Sequence, residues 1–381
     1  MRILGALFLA IHGIAHLVGF RAAFWPGSTL PGQTSLLGGL IGLSYFGNRV
    51  LGVVWLLLAV GYLAAAGMLV VRAPAWTTLT LWVTAASLLM CVLFWPEARI
   101  GLYLDVVILL VVLLVSRSGP DHLATSFRNE LRDAALPAAG GRTEVVTEES
   151  IAKLPEPVKR YLRFMGVVGR ARDWSLQAHF KARFRREPGA WLDCEAIQYD
   201  TRLKLARLFY MQLSLKGLLP VTVRDTYLGG KGSMRARAFD LVPVVEGAGH
   251  EIDVGELVTY LNDAILMAPS LLLGHETSWQ AVDSNCFDVT LRDGDLSVKA
   301  RVWLDERGAP VDFSTTDRFF DRADGQRVQT EWRTPIGGWQ EVDGRRLPTS
   351  TEAVWQLPSG PFAYADFRID PTRVAFNVPP H

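Results

Sequence analysis

The chain changes its hydrophobic period twice. Over roughly 3–24, 49–71, 76–96 and 100–117 nearly every position is apolar, and each stretch reaches the approximately 20 residues that a helix needs to cross a hydrocarbon layer. Between about 150 and 165, Val158, Tyr161, Leu162 and Met165 recur at helical spacing behind Pro155 and Pro157, which predicts an amphipathic helix opened by proline. Beyond 170 the period drops to two. Trp174, Leu176, Ala178, Phe180, Ala182 and Phe184 alternate with polar neighbours, and the pattern returns in Leu203, Leu205, Phe209, Met211, Leu213 and Leu215 and in Leu296, Val298, Ala300, Val302 and Leu304. Each run describes a strand with one apolar and one wet face.

Turn dipeptides separate these runs: Gly229-Gly230, Asp293-Gly294, Arg307-Gly308, Asp324-Gly325 and Asp343-Gly344. About ten strands in a meander are expected. One helix interrupts them. Asp253 and Glu256 have the spacing of a capping box, and Leu257, Tyr260, Leu261, Ile265 and Leu266 follow as an apolar stripe of about 15 residues ending at Pro269. A sheet of this length offers that stripe only its concave face. The predicted architecture is a four-helix transmembrane domain (1–118), a linker (119–147) and an α+β domain (148–381). In the last, a curved antiparallel sheet or half barrel carries one helix across its concave face.

Charge sharpens the division. The 39 basic and 38 acidic side chains nearly cancel, but residues 1–120 hold six Arg, no Lys and only Glu97 and Asp105 as acids. Near-neutrality argues against a nucleic-acid binder. The first span runs past Gly19 to Phe24-Trp25 with no small-x-small cleavage site, so it reads as one retained helix and not a signal peptide. Segment 28–48, with Pro31 and several glycines, reads as an interfacial loop, and Trp25, Trp55, Trp76, Trp82 and Trp95 as mostly interfacial residues near span ends. Four spans put both termini on one side of what is expected to be a bacterial inner membrane. Arg2, Arg72, Arg117, Arg128 and Arg132 flank that side against Arg21, Arg49 and Arg99 on the other, and five against three favours the cytoplasm.

His12 and His16, four apart on the first helix, face the same way. Two readings stand: a polar packing contact, with Gly13 allowing close approach, or two ligands of a metal or haem whose further ligands would come from Asp105 or Cys91. In the β region, lining apolars such as Phe180, Phe209, Met211 and Tyr260 either hold a ligand or form ordinary core. Asp225, Tyr227, Asp312, Asp317, Arg318, Arg333 and Glu352 match no catalytic spacing, and structural ion pairs account for Asp317, Arg318 and Arg333. There is no G-x-S-x-G, H-E-x-x-H or C-x-x-C, and Gly229-Gly230-Lys231-Gly232 sits between strands as a hairpin turn. No cofactor is expected beyond the metal alternative, and Cys194 and Cys286 are expected reduced and buried.

The runs Leu154-Pro155-x-Pro157-Val158-x-Arg160-Tyr161-Leu162 with Gly166-Val167-Val168-Gly169, Glu256 to Asp263 with Ala268-Pro269, and Arg346-Leu347-Pro348 with Glu352-Ala353-Val354-Trp355 resemble an uncharacterised bacterial multi-pass membrane family, classed as a domain of unknown function. The opening His12-Gly13-x-x-His16-x-x-Gly19-Phe20 is similar to the start of such proteins. The strand pattern also looks like the lipoprotein-carrier (LolA-like) superfamily of half barrels. That likeness implies action outside the cytoplasm, against the charge count, and leaves the side open. The leading expectation is a non-enzymatic protein binding a lipid or lipophilic molecule beside the bilayer. A membrane-associated enzyme or metal protein using His12 and His16, and a structural partner of another membrane protein, are the alternatives.

Overall fold

The computed structural model describes residues 2–25, 27, 34–73, 75–118, 123–134, 144–215, 219–240, 242–322 and 325–379. The chain divides into two compact units, Met1–His122 and Leu123–His381.

In the first unit, α1 (Arg2–Ala15) and α2 (Leu17–Phe24) make up the first apolar segment. The others are α3 (Tyr45–Val71), α4 (Trp76–Leu93) and α5 (Arg99–Ser118). These give four segments long and apolar enough to cross a membrane. Between the first two lies a two-strand ladder, β1 (Ser35–Leu36) with β2 (Ile41–Gly42); Pro31 and the rest of 28–33 fall outside the described residues. The expected first helix runs from Arg2 to Phe24 with one irregular turn at His16, which keeps helical dihedrals. The His16 amide donates to Gly13 O, and the His12 carbonyl it would otherwise serve accepts from His16 Nδ1 at 2.9 Å. A side chain has replaced a rung of the backbone ladder, which tightens the turn. Trp55 also departs from its expected interfacial place. It is buried within the unit against His16 and Phe94. Glycines let the helices meet: a Cβ on Gly13 would stand 2.8 Å from Tyr62 Cβ, and one on Gly52 2.5 Å from Ala23 Cβ.

The second unit opens with α6 (Leu123–Ala134). Residues 119–147 are expected as a tether with a short helix around 121–135; the helix forms, and it buries Phe127, Leu131 and Ala134 against Tyr199, Ala206 and Leu208 on the outer face of the sheet. Pro137 and Gly140-Gly141 lie outside the described residues. Next come α7 (Glu148–Ile151) and α8 (Glu156–Phe164), with Pro155 at the N-cap of α8 and Val158, Tyr161 and Leu162 buried as their spacing requires.

The sheet is built as two meanders. The first runs β3 (Ser175–Phe184), β4 (Leu192–Thr201), β5 (Ala206–Leu215), β6 (Leu219–Leu228), β7 (Lys231–Ala238) and β8 (Val242–Gly247). Then α9 (His250–Met267) intervenes. The second meander runs β9 (Thr277–Asp283), β10 (Cys286–Asp293), β11 (Leu296–Leu304) and β12 (Pro310–Thr315). A side hairpin of β13 (Phe319–Asp321) and β14 (Arg327–Gln329) precedes β15 (Trp332–Arg333), and another of β16 (Trp339–Val342) and β17 (Arg345–Pro348) precedes β18 (Thr351–Leu357) and β19 (Gly360–Phe376). The last strand pairs with the first, β19 with β3, which makes one antiparallel sheet of 13 strands with β8 and β9 at its open edges.

That sheet is tightly curled. β6 and β10 are nine pairings apart, about 43 Å if the sheet were flat, yet Tyr227 of β6 donates to Asp293 Oδ2 of β10 at 2.6 Å. The helix α9 lies in the trough and packs against β5, β6 and β7 of one half and β11 and β12 of the other. Its burial is nearly complete, from Val254 to Met267. The helix begins at Gly249, whose φ of 106° suits glycine, so the expected capping box at Asp253 does not form. Asp253 instead accepts from the Gly232 amide at 2.7 Å and from Lys231 Nζ at 3.0 Å, tying α9 to the β6–β7 turn. Leu203 and Leu205, expected in a strand, lie in the turn before β5.

Candidate functional site

Alternation places Phe180 on β3, Phe209 and Met211 on β5, and Val223 on β6 toward the trough, where they surround a cavity of about 170 Å³. Met234, Leu266, Trp332, Tyr364 and Phe367 complete its apolar wall. Tyr260 is not among the lining residues; it is buried in the core of the same unit. Most of the trough is filled by the protein's own side chains. What remains matches the engineered apolar cavities of about 150 Å³ that take up benzene.

One wall of the cavity is charged. Arg207 has the parity of Phe209 and Met211, so β5 must turn a guanidinium inward. Its Nε donates to Asp263 Oδ2 at 2.7 Å, and Nη1 reaches Glu256 Oε2 at 3.1 Å and Asp225 Oδ2 at 3.5 Å. Glu256 and Asp263 are seven apart on α9, two turns along one face. Asp200 lies behind them and accepts from Gln198 Nε2 at 2.6 Å. Arg318, stacked over Trp332 at 4.4 Å, also borders the cavity. Four carboxyl groups thus crowd two guanidiniums, and Asp200 Oδ1 and Asp225 Oδ1 are buried without a hydrogen-bond partner.

Burial drives the Asp200, Glu256 and Asp263 carboxyls above their ordinary range; their acidic neighbours Asp263 and Asp225 push the first two further. For Arg207, burial opposes the charge, but the surrounding carboxylates outweigh it and hold the guanidinium firmly ionised. The wall therefore sets carboxyl groups that hold their protons more tightly than free ones beside a fixed positive charge. Chemically it can accept hydrogen bonds from a donor-rich or cationic group, or give them through a protonated carboxyl.

Of the charged residues singled out from the sequence, Asp312, Asp317 and Arg333 are structural. Arg333 Nε donates to Asp312 Oδ2 at 2.8 Å between neighbouring strands, and Asp317 accepts from the Lys299 amide at 2.7 Å. Arg318 is held by the rings of Trp332 and Trp355, so stacking and not a strand-to-strand ion pair explains it. Cys91, Cys194 and Cys286 are free and buried.

In the first unit His12 and His16 are brought together with Asp105, all three buried, with one ligand atom of each within 4.8 Å of the others. His12 Nε2 lies 2.7 Å from Asp105 Oδ1, which also accepts from the Tyr62 hydroxyl at 2.8 Å. Ser87 Oγ is 2.6 Å from Asp105 Oδ2 and 2.7 Å from His16 Nε2. Sequence reasoning missed Tyr62 and Ser87, and missed Arg207, Asp200 and Asp263 in the other unit. The signals were present. Thr80, Thr84, Ser87 and Cys91 form a small polar stripe at helical spacing, and Arg207 breaks an otherwise apolar alternation.

Residues 144–367 match DUF6544, a family of unknown function. The chain belongs to that family. Two solved structures are similar to this DUF6544 protein. One is a LolA superfamily protein from Nitrosomonas europaea, 12% identical, covering 62% of this chain and 96% of that one with a TM-score of 0.32. The other is a DUF1329 family protein from Desulfovibrio piger, 9% identical, with the same coverages and a TM-score of 0.34. No curated protein matches the chain.

Proposed function

We propose that this protein is anchored in the bacterial inner membrane by its four apolar segments and uses the curled sheet to hold a lipophilic molecule, without transforming it. The cavity between the sheet and α9 carries this reading, because its apolar wall needs no further chemistry to retain a hydrocarbon group. Burial contributes about 0.8 kcal/mol per methylene. Side chains that α1, α3 and α5 leave exposed, such as Leu7, Leu57 and Leu114, are those a bilayer would cover.

The size and polarity of the cavity restrict the ligand. A ring or a short alkyl segment fits the space beside Phe180, Phe209 and Met211 as these side chains stand. With Asp225, Glu256 and Asp263 against Arg207 and Arg318, and Asp225 Oδ1 unpaired, the wall favours a head group that donates a hydrogen bond. Titration of residues 123–381 with alkylammonium, alcohol and carboxylate probes of equal chain length tests both points. Saturable binding of the two donors, ammonium and alcohol, ahead of carboxylate is expected, and it is lost in Met211→Trp, which fills the cavity. Absence of saturable binding for all three would sink the proposal.

A further inference from the structure

We infer that the polar centre of the first unit is a divalent transition-metal site of the zinc type, ligated by His12, His16 and Asp105 with Cys91 as the fourth donor. Each of the four apolar segments contributes to it: His12 and His16 from the first, Tyr62 from α3, Ser87 and Cys91 from α4, and Asp105 from α5. Ionisable groups at membrane depth are costly, and holding two helices together takes one donor and one acceptor, not seven groups.

The donors stand near the spacing an ion needs. Tetrahedral zinc with bonds of about 2.0–2.3 Å holds its ligand atoms about 3.3–3.7 Å apart. Ligand atoms of His12, His16 and Asp105 lie within 4.8 Å of one another, and Cys91, outside that close group, reaches Asp105 Oδ2 with its Sγ at 3.5 Å, so the four close on an ion by side-chain shifts of about 1 Å or more. The contacts of His16 and Asp105 are those that metal sites require, while His12 Nδ1 is buried without a partner. His16 Nδ1 must carry a hydrogen, because its partner at 2.9 Å is the His12 carbonyl, and this turns Nε2 inward as the ligand nitrogen. Asp105 is in turn held by the Tyr62 hydroxyl.

Hydrogen accounting points to the same species. The contacts from Ser87 Oγ to His16 Nε2 and to Asp105 Oδ2 each need a hydrogen, and the serine supplies one. A second proton is therefore held on His16 or Asp105. Entry of a divalent ion displaces that proton and the Cys91 thiol proton, while His12 moves its ring hydrogen to Nδ1. The ion's two charges then meet one carboxylate and one thiolate. Two protons leave, two positive charges arrive, and the site stays neutral overall, as an apolar interior demands.

The test uses the untagged full chain in mild detergent, stripped with a chelator and titrated with Co²⁺. The expected result is one Co²⁺ per chain, displaced by Zn²⁺, with the intense visible bands of tetrahedral cobalt and a near-ultraviolet thiolate-to-cobalt band. His16→Ala weakens binding more than about 100-fold and Tyr62→Phe about 10-fold, while His275→Ala, on an exposed residue of the other unit, changes nothing. Cys91→Ser removes the thiolate band and keeps weaker binding, and it decides the matter if His16→Ala fails to fold. No bound Co²⁺ in the wild-type chain, binding that survives His12→Ala with His16→Ala, or a spectrum unchanged by Cys91→Ser would overturn the assignment.

Discussion

The two units bury their polar groups in opposite ways. In the helical unit one carboxylate, Asp105, is surrounded by donors: His12, Tyr62 and Ser87 all point at it. In the curled sheet one guanidinium, Arg207, is surrounded by carboxyls, and two of their oxygens have no partner. The first cluster is held together by hydrogens lying between close heavy atoms, where a metal ion can take their place. In the second, Asp225 keeps an unpaired oxygen on a wall that borders a cavity. Buried polar groups are tolerated when satisfied. A wall left unsatisfied beside an apolar space marks where an external group completes the set.

The sharpest way to break this contrast is to remove the central charge of the sheet. Arg207→Met leaves Asp225, Glu256 and Asp263 without their shared partner and should destabilise residues 123–381 by about 3–5 kcal/mol, read by urea unfolding. A loss below about 1 kcal/mol would show that the carboxyls do not depend on it.

In the helical unit the corresponding weak point is backbone approach. Gly13→Leu places a side chain where even a Cβ would lie 2.8 Å from Tyr62 Cβ, so it should cost about 1–3 kcal/mol, seen as a lower unfolding temperature of the full chain in detergent. Unchanged stability would mean that α1 and α3 are not in contact at Gly13.

The smallest effect concerns pH. Asp200, Glu256 and Asp263 have raised values in the folded state, so the stability they contribute is complete below the ordinary carboxylate range, about 4. It is lost as pH rises through their raised values. The Asp288 carboxyl works the other way. The Arg301 hydrogen bond lowers its value, so its share of stability is present above the ordinary range and lost on acidification. Unfolding temperatures of residues 123–381 should fall from mildly acid to alkaline buffer. Asp200→Asn should flatten that slope and leave the acid-side value nearly unchanged. A steeper slope in the variant would contradict the account.

Much of the architecture was legible in the sequence because it rests on local periodicity. The apolar segments, the alternation of β3 and β11, and the stripe of α9 each follow from neighbours in the chain. What joins them does not. The pairing of β19 with β3 links Phe367 with Ala182, and nothing in either strand names its partner. The start of α9 was misread because Asp253 and Glu256 imitate a cap, while the true N-cap, Gly249, offers no side chain to read. The charged wall was missed because a single arginine in an apolar run is visible, but Glu256 and Asp263 meet it only through the curl of the sheet. His12 and His16 could be paired from spacing alone; Asp105 joins them across 93 positions.

Native mass spectrometry with lipid extraction on residues 123–381, produced in the cytoplasm and in the periplasm in turn, tests the central claim most directly. The account predicts a defined lipophilic mass retained by the wild-type domain in at least one compartment and absent from Met211→Trp. A folded domain that carries no such mass in either compartment, or a mass retained equally by Met211→Trp, would contradict it.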